Sequence, residues 1–556
     1  MSTQFNLAEA NERLAAAFPD RECIIFRDRR LSYGEVAERS RRLANYLRSC
    51  GLGSCQSRAG LAGWESGQDH IGLYLQNGNE YIEGMLGAFK SRTVPVNVNY
   101  RYVEDELVYL FRNCRARAIV YHGQFAERLA AVRDRLPDLE VLIQVADESD
   151  APLLEGAVEY EAALTAASPE IDSAEWSSDD LYALYTGGTT GMPKGVLWRQ
   201  HDIFRAALGG RRQEDGLFIE SLDELVARAE GGALRVLAAP PFMHGAGHWL
   251  AFITLHAGGT LLIQDVVGKL DPKDVLDVLE REKANLIVIV GDAFGRPIVD
   301  ELDRSSRDLS SLFLVANGGA PLSVNMKEAL LDRLPSVTIL DGIGSSETGA
   351  QATHVSSKEA GAATGKFTPA PDSCVISEDL SRVVVPGEDH AGWFAKGGNV
   401  PLGYLDDEEK TARTFPQIGG ARYSVPGDRA RHLEDGMIEV LGRDSVTINS
   451  GGEKIFAEEV ELALRHHPAV YDVVVAGRPS ERWGQEVVAV VQLCAGESET
   501  GAAEALREEC GRHIARYKLP KSFVFREAIV RSPSGKADYR WARQQVEDET
   551  GQGGAP

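Results

Sequence analysis

"LYALYTGGTTGMPKGVLWRQ", residues 181–200, is the stretch on which the reading of this chain turns. Leu181 to Thr186 is an apolar, aromatic-rich run of the length of a buried strand. The residues after it cannot continue that strand. Gly187, Gly188 and Gly191 are free to take positive φ, so successive backbone N–H groups can converge on one point. Thr186, Thr189 and Thr190 add hydroxyl donors, and Lys194 adds a positive charge. A strand end leading into amides, hydroxyls and one ammonium is suited to cradle a polyphosphate. It is not a Walker A loop, because no glycine immediately precedes Lys194 and no Ser or Thr immediately follows it. A surface turn rich in small residues would account for the glycines, but not for the hydroxyls and lysine among them.

The rest of the chain sets bounds. At 556 residues it is long enough for three or four units. Its net charge of −24 argues against nucleic acid or an anionic membrane as main partner. A small polyanion needs only local positive charge. No apolar run approaches the roughly 18 residues of a membrane span. The first twenty residues lack a basic segment followed by an apolar one, so no signal peptide is expected. Cys23, Cys50, Cys55, Cys114, Cys374, Cys494 and Cys510 form no C-x-x-C pair. Dispersed and odd in number, they read as reduced thiols of a cytoplasmic protein rather than a disulfide frame or zinc site.

Helix and strand signals alternate through residue 350. Ser32 and Glu35 form a capping box ahead of Val36, Leu43, Ala44 and Leu47 at helical spacing. Asp271-Pro272 reads as an N-cap followed by proline in the first helical turn, and the β-branched run from Leu286 to Val290 as a buried strand. Such alternation implies an α/β fold with parallel strands. Around 393–443 the texture changes to short strands and glycine turns. A smaller α+β unit comes next, with a helix at 457–466 and strands near 471–476 and 486–493. The boundaries expected are a large multi-subdomain α/β region with a small β-rich part over 1–443, a C-terminal α+β domain over 446–545, and a disordered tail over 546–556.

In "GDRARHLEDGMIEVLGR", Asp435-Gly436 signals a two-residue hairpin turn between alternating strands. That turn places Asp428 opposite Arg443 on one face. As a simple cross-strand ion pair it would contribute under about 1 kcal/mol if exposed.

Residues 185–196, "YTGGTTGMPKGV", resemble the phosphate-loop signature of the AMP-forming acyl-adenylate enzymes, with Gly188 where that family usually has serine. The family's other motifs occur in order over essentially the whole chain. "NGGAPL" (317–322) resembles its adenine-side loop, with Gly318, Gly319, Ala320 and Pro321. "DGIGSSETG" (341–349) resembles its nucleotide and metal segment. That resemblance implies nucleotide contacts from Asp341, Gly342, Ile343, Gly344 and Ser346, and a Mg²⁺ ligand in Glu347. "PFMHGAGHW" (241–249) resembles the segment at the mouth of the acyl pocket, with His244 matching. Asp428 and Arg443 match the pair that binds the ribose hydroxyls. "GRDSVTINSGGEKIFAEEVE" (442–461) resembles the hinge, here 444–445, with Gly451 and Gly452 along the pantetheine path of CoA. "RSPSGKADYR" (531–540) resembles the segment with the adenylation lysine, here Lys536. Alone, most of these segments would pass for ordinary turns and solvated charges.

The resemblance implies an ATP-dependent acid–CoA ligase with two half-reactions. A carboxylate needs no activation as a nucleophile, so alignment and charge neutralisation at the α-phosphorus suffice. Thr186, His244, Glu347 and Lys536 are the residues implied in catalysis. The small domain then rotates, and the CoA thiol attacks the acyl adenylate. The acyl pocket is expected to run from His244 past Gly291 and Phe294 and by Gly318 to Gly344, with glycines leaving volume. No basic residue stands out there for an amino acid or dicarboxylate, so a long or bulky apolar acid is expected. The wording of 185–204 and 63–81 resembles ligases for fatty and steroid side-chain acids. Three alternatives stay open: delivery to a carrier-protein phosphopantetheine, a luciferase-type oxygenase, and a catalytically silent nucleotide binder. A homodimer is also left open.

Overall fold

The computed structural model describes residues 4–552 apart from 174, 187–191, 213, 233, 389, 451–452, 481 and 533–534. Five parallel strands form one sheet in the order Val94–Asn97, His70–Tyr74, Ala116–His122, Val141–Val145, Ala157–Glu159. A second, 13-stranded sheet has a parallel centre in the order Glu22–Phe26, Thr260–Ile263, Arg235–Ala238, Leu286–Ile289, Leu314–Gly318, Thr338–Ser345. Leu286–Ile289 is buried along its whole length, as a parallel strand between helical layers must be. The expected helix starts are present. Ser32 and Glu35 form a reciprocal capping box, and Asp271 caps a helix with Pro272 in its first turn.

The β-rich part is no separate module. Antiparallel strands Gly349–Ser356, Lys366–Pro369, Ile438–Arg443, Asp428–His432, Gly392–Lys396 and Ser373–Ile376 extend the 13-stranded sheet beyond its parallel centre. The glycine-rich loop departs from a different place. Leu181–Thr186 pairs antiparallel with Lys194–Arg199, and Gly403–Tyr404 completes a three-stranded sheet.

Asp428 does pair with Arg443, yet the turn differs from the expected one. Leu433 N donates to Met437 O at 2.8 Å and Gly436 takes φ +81°, which makes a three-residue loop ending in a left-handed glycine. That loop moves the inner pairs by one position, to Arg431↔Glu439 and His432↔Ile438. A bulge between Arg429 and Ala430 on the ladder restores the register before Asp428 is reached. The two departures cancel.

The C-terminal domain has its own sheet, with Glu453–Phe456, Thr447–Ser450, Gly484–Leu493 and Val470–Ser480, and with Ser522–Phe525 parallel to Gly484–Leu493. Its apolar cores draw only on residues from Val446 onward. The expected tail over 546–556 needs correction. Helix Tyr539–Gln552 closes the domain, with Ala542 and Val546 fully buried against Val474, Val488 and Val490. Residues 553–556 lie outside the described residues. Between the domains, Asp444–Val446 is a single 3-10 turn, pinned by Asp444 N donating to Gly427 O at 3.0 Å.

Polar contacts join the two domains. Half-buried Arg465 pairs with Asp292 at 2.8 Å and with Asp472 at 3.0 Å. Asn325 Nδ2 donates to Arg465 O at 2.9 Å, and Lys454 pairs with Glu378 at 2.8 Å. Among the described residues no helix is long and apolar enough to cross a membrane.

Candidate active site

Lys536 lies on a loop fastened to the C-terminal domain. Arg531 pairs with Asp472 at 2.6 Å and donates to Gly535 O at 3.0 Å, and Ser532 N donates to Lys536 O at 2.9 Å. The same loop presses on the N-terminal domain. A Cβ on Gly535, where φ is +75°, would stand 3.2 Å from Val290 O. The Lys536 stem crosses Gly319, where a Cβ would stand 3.6 Å from Lys536 Cε. Lys536 is exposed as a residue, although walls of the cleft stand close to its stem and to its neighbour Gly535. Desolvation by those walls lowers its pKa to about 8, with Arg443 acting in the same direction and Glu347 and Asp428 opposing. If the ammonium carries adenylation, that half-reaction declines as pH rises through about 8, because charge is lost above the pKa. Lys536→Arg should remove this limb of the rate profile, since a guanidinium stays charged. An unchanged limb in stopped-flow adenylate formation would refute the assignment.

His244 caps helix Gly245–His256, and its Nε2 is buried without a hydrogen-bond partner among the described residues. Burial, then the Lys536 charge, lower its pKa to about 3, so the ring is a neutral polar group. A buried nitrogen left unpaired is costly unless a ligand meets it.

Glu347 follows strand Thr338–Ser345, which its own tight turn joins to Gly349–Ser356. Tyr404 OH donates to Glu347 Oε1 at 2.8 Å and Ser424 Oγ to its carbonyl at 2.6 Å, so the residue is held in place, and among the described residues no hydrogen bond reaches its second carboxylate oxygen. Ser346 beside it accepts from Trp198 Nε1 through its carbonyl at 2.9 Å. Among the described residues no group of three His, Cys, Asp or Glu side chains could hold a metal. A single oriented carboxylate fits Mg²⁺, which binds one or two carboxylates and takes its other ligands from phosphate and water. Arg443 Nε donates to Asp428 Oδ1 at 3.0 Å on the facing hairpin. Thr186 and Lys194 lie opposite each other across the mouth of the glycine-rich loop, and Lys194 Nζ pairs with Asp407 at 2.8 Å.

Gly318 and Gly342 lie side by side in adjacent parallel strands, next to Asn317 and Asp341. Asp341 turns inward, where Lys327 and Asn317 hold its carboxylate. Ile343 packs on the small antiparallel cluster around Ala352 and Phe367. Gly319 and Pro321 are exposed and Ala320 half-buried. The expectation that Gly291 and Gly344 open volume for substrate is corrected. A Cβ on Gly291 (φ +57°) would meet Pro321 O at 2.6 Å, and one on Gly344 would meet Gly349 O at 2.3 Å. Both glycines are required by backbone packing. Phe294 is a core residue among Val290, Leu322 and Met326. Gly344→Ala should therefore cost about 1–3 kcal/mol, the usual range for overpacking. A lowered Tm without a change in chain-length preference is the expected result. Gly187, Gly188, Thr189, Thr190, Gly191, Gly451 and Gly452 lie outside the described residues.

Three residues at this site were not read from the sequence: Tyr404, Asp407 and Lys410. Gly403–Tyr404 is a two-residue strand, too short to leave a periodic signal. The one local cue is the dense charge of "YLDDEEK", 404–410.

Residues from positions 244 to 536 thus meet around one cleft. The comparisons agree with that convergence. The model of the AMP-binding enzyme family matches residues 11–405, and that of the AMP-binding enzyme C-terminal domain matches 459–536. The chain belongs to this family. Within it, the chain is 54% identical to the medium-chain acyl-CoA ligase Mig of Mycobacterium avium, over 98% of this chain and 99% of that protein. It is 39% identical to the 3-oxocholest-4-en-26-oate–CoA ligase of Rhodococcus rhodochrous, over 97% and 96% of the two chains. Among solved structures, the anthranilate CoA ligase AuaEII in complex with anthranoyl-AMP shares the fold with a TM-score of 0.83 at 21% identity, covering 99% of each chain.

Proposed function

We propose that the protein is an ATP-dependent ligase that joins a medium- or long-chain, or sterol side-chain, carboxylic acid to CoA through an acyl adenylate. The observation that supports this most is the placing of Lys536 over Gly319, electrostatically coupled to Glu347, Asp428 and Arg443 and acting on His244. Two domains thereby close on one cleft from opposite sides. Asp428 and Arg443 bind the ribose hydroxyls. Thr186 and Lys194 face the phosphates at the mouth of their loop. Glu347 would hold Mg²⁺, whose charge would offset that of the pyrophosphate oxygens. Lys536 stabilises negative charge as the carboxylate attacks the α-phosphorus. Rotation about 444–445 then withdraws Lys536 and opens the face for CoA.

The acid class rests on the relatives' names. Helix Gly245–His256, which His244 caps, packs Leu250 on the buried cluster of Val236, Leu286 and Val288. Incubation with ATP, Mg²⁺, CoA and acids from acetate through palmitate to sterol side-chain acids, followed by mass spectrometry, tests the proposal. Acyl-CoA from medium, long or sterol acids supports it. Preference for acetate overturns the substrate class, and acyl-AMP that accumulates despite CoA points to a carrier-protein acceptor.

A further inference from the structure

Lys410 stands apart from the other cations of the site. It is half-buried in helix Glu408–Thr414, and its Nζ lies 4.0 Å from the centroid of the Tyr404 ring. That ring carries the hydroxyl that orients Glu347. Burial, opposed by Glu347, lowers the Lys410 ammonium below the usual lysine range, and Lys194 lowers it further. Yet among the described residues Nζ makes no hydrogen bond and no ion pair. The carboxylate that caps its own helix is already committed. Asp407 Oδ1 accepts from Lys410 N at 3.0 Å, and Asp407 Oδ2 accepts from Lys194 Nζ at 2.8 Å. So among the described residues Lys194 has a carboxylate in direct contact, whereas the Lys410 ammonium has none.

An ammonium that is half desolvated, without a counter-ion, and next to a carboxylate it does not touch is poised for an anion that carries its own metal. Glu347 can take the cation and Lys410 a phosphate oxygen of the same ligand. We infer that Lys410 binds the β- or γ-phosphate of ATP and then the pyrophosphate it becomes, as a second lysine beside the glycine-rich loop. The proposal rests on the ligase reading and adds a residue to it. A lysine that served only to pack on Tyr404 would be indifferent to the anion.

The test is calorimetric binding of Mg²⁺–pyrophosphate and, separately, of AMP, which has no β- or γ-phosphate. The proteins are the wild type, Lys410→Met and Lys410→Arg. The methionine stem keeps the contact with Tyr404. Lys410→Met should weaken pyrophosphate binding by about 10- to 100-fold, the range for losing a charge-assisted hydrogen bond. AMP binding should stay at the wild-type value, which also shows that the variant is folded, and Lys410→Arg should restore pyrophosphate binding. Unchanged pyrophosphate affinity in Lys410→Met overturns this inference alone, as does an equal loss for AMP. A wild-type protein that binds neither ligand overturns the ligase reading and this inference together.

Discussion

Lys536→Ala should lower the rate of acyl-adenylate formation by about 10²- to 10³-fold, the loss typical when one preorganised charge-stabilising group is removed. The same variant should convert supplied acyl-AMP and CoA to acyl-CoA at close to the wild-type rate. The asymmetry follows from how the residue is held. Its loop is tied to the C-terminal domain through Arg531 and Asp472, so under the proposed rotation it would leave the cleft with that domain. The side chain makes few contacts that folding needs, because its ammonium faces the cleft over Gly319. Single-turnover assays of the two half-reactions decide the matter. Equal losses in both would mean that Lys536 supports the cleft without acting on the adenylation step.

Glu347→Gln carries the second large effect. Glutamine keeps an oxygen to accept from Tyr404 OH and leaves the Ser424 contact to the backbone untouched, so local structure should survive. The charge that would hold Mg²⁺ is lost. Metal stabilisation of transferring phosphates amounts to several kcal/mol, and each 1.36 kcal/mol is tenfold in rate. Adenylation should fall by about two to three orders of magnitude, and half-maximal rate should need more Mg²⁺. A slower enzyme with an unchanged Mg²⁺ titration would remove Glu347 from the metal site.

The order of the site segments could be read from the chain because each pairs a local turn signal with an unusual residue set. Strands Leu181–Thr186 and Lys194–Arg199 flank the glycine-rich segment as their apolar residues require, and the helix caps at Ser32 and Asp271 are local hydrogen-bond patterns that tertiary context did not override. The features that escaped reading depend on contacts between distant backbones. The bulk that Gly291 and Gly344 must avoid comes from Pro321 and Gly349, which no spacing rule places there. Tyr404 acts through a pairing with Val196, more than two hundred positions away. The final helix looked like a frayed end because its composition is polar. It folds because Ala542 and Val546, four residues apart, find an apolar sheet face to cover. The Asp428–Arg443 pairing was reached from the sequence although its turn and its bulge were both unforeseen.

The hairpin that carries Arg443 passes straight into the turn Asp444–Val446, and from Val446 onward the C-terminal domain packs its own cores. The join is thus a natural place to exchange parts. A cut within that turn leaves the Asp428–Arg443 pair with one fragment and the lysine loop with the other. Across the join the fragments meet largely through ion pairs such as Arg465–Asp292 rather than a shared apolar interior. Such a seam tolerates a foreign partner if the charges are kept in register. The C-terminal domain can therefore be treated as a replaceable cassette that brings its own lysine loop to the recipient's cleft.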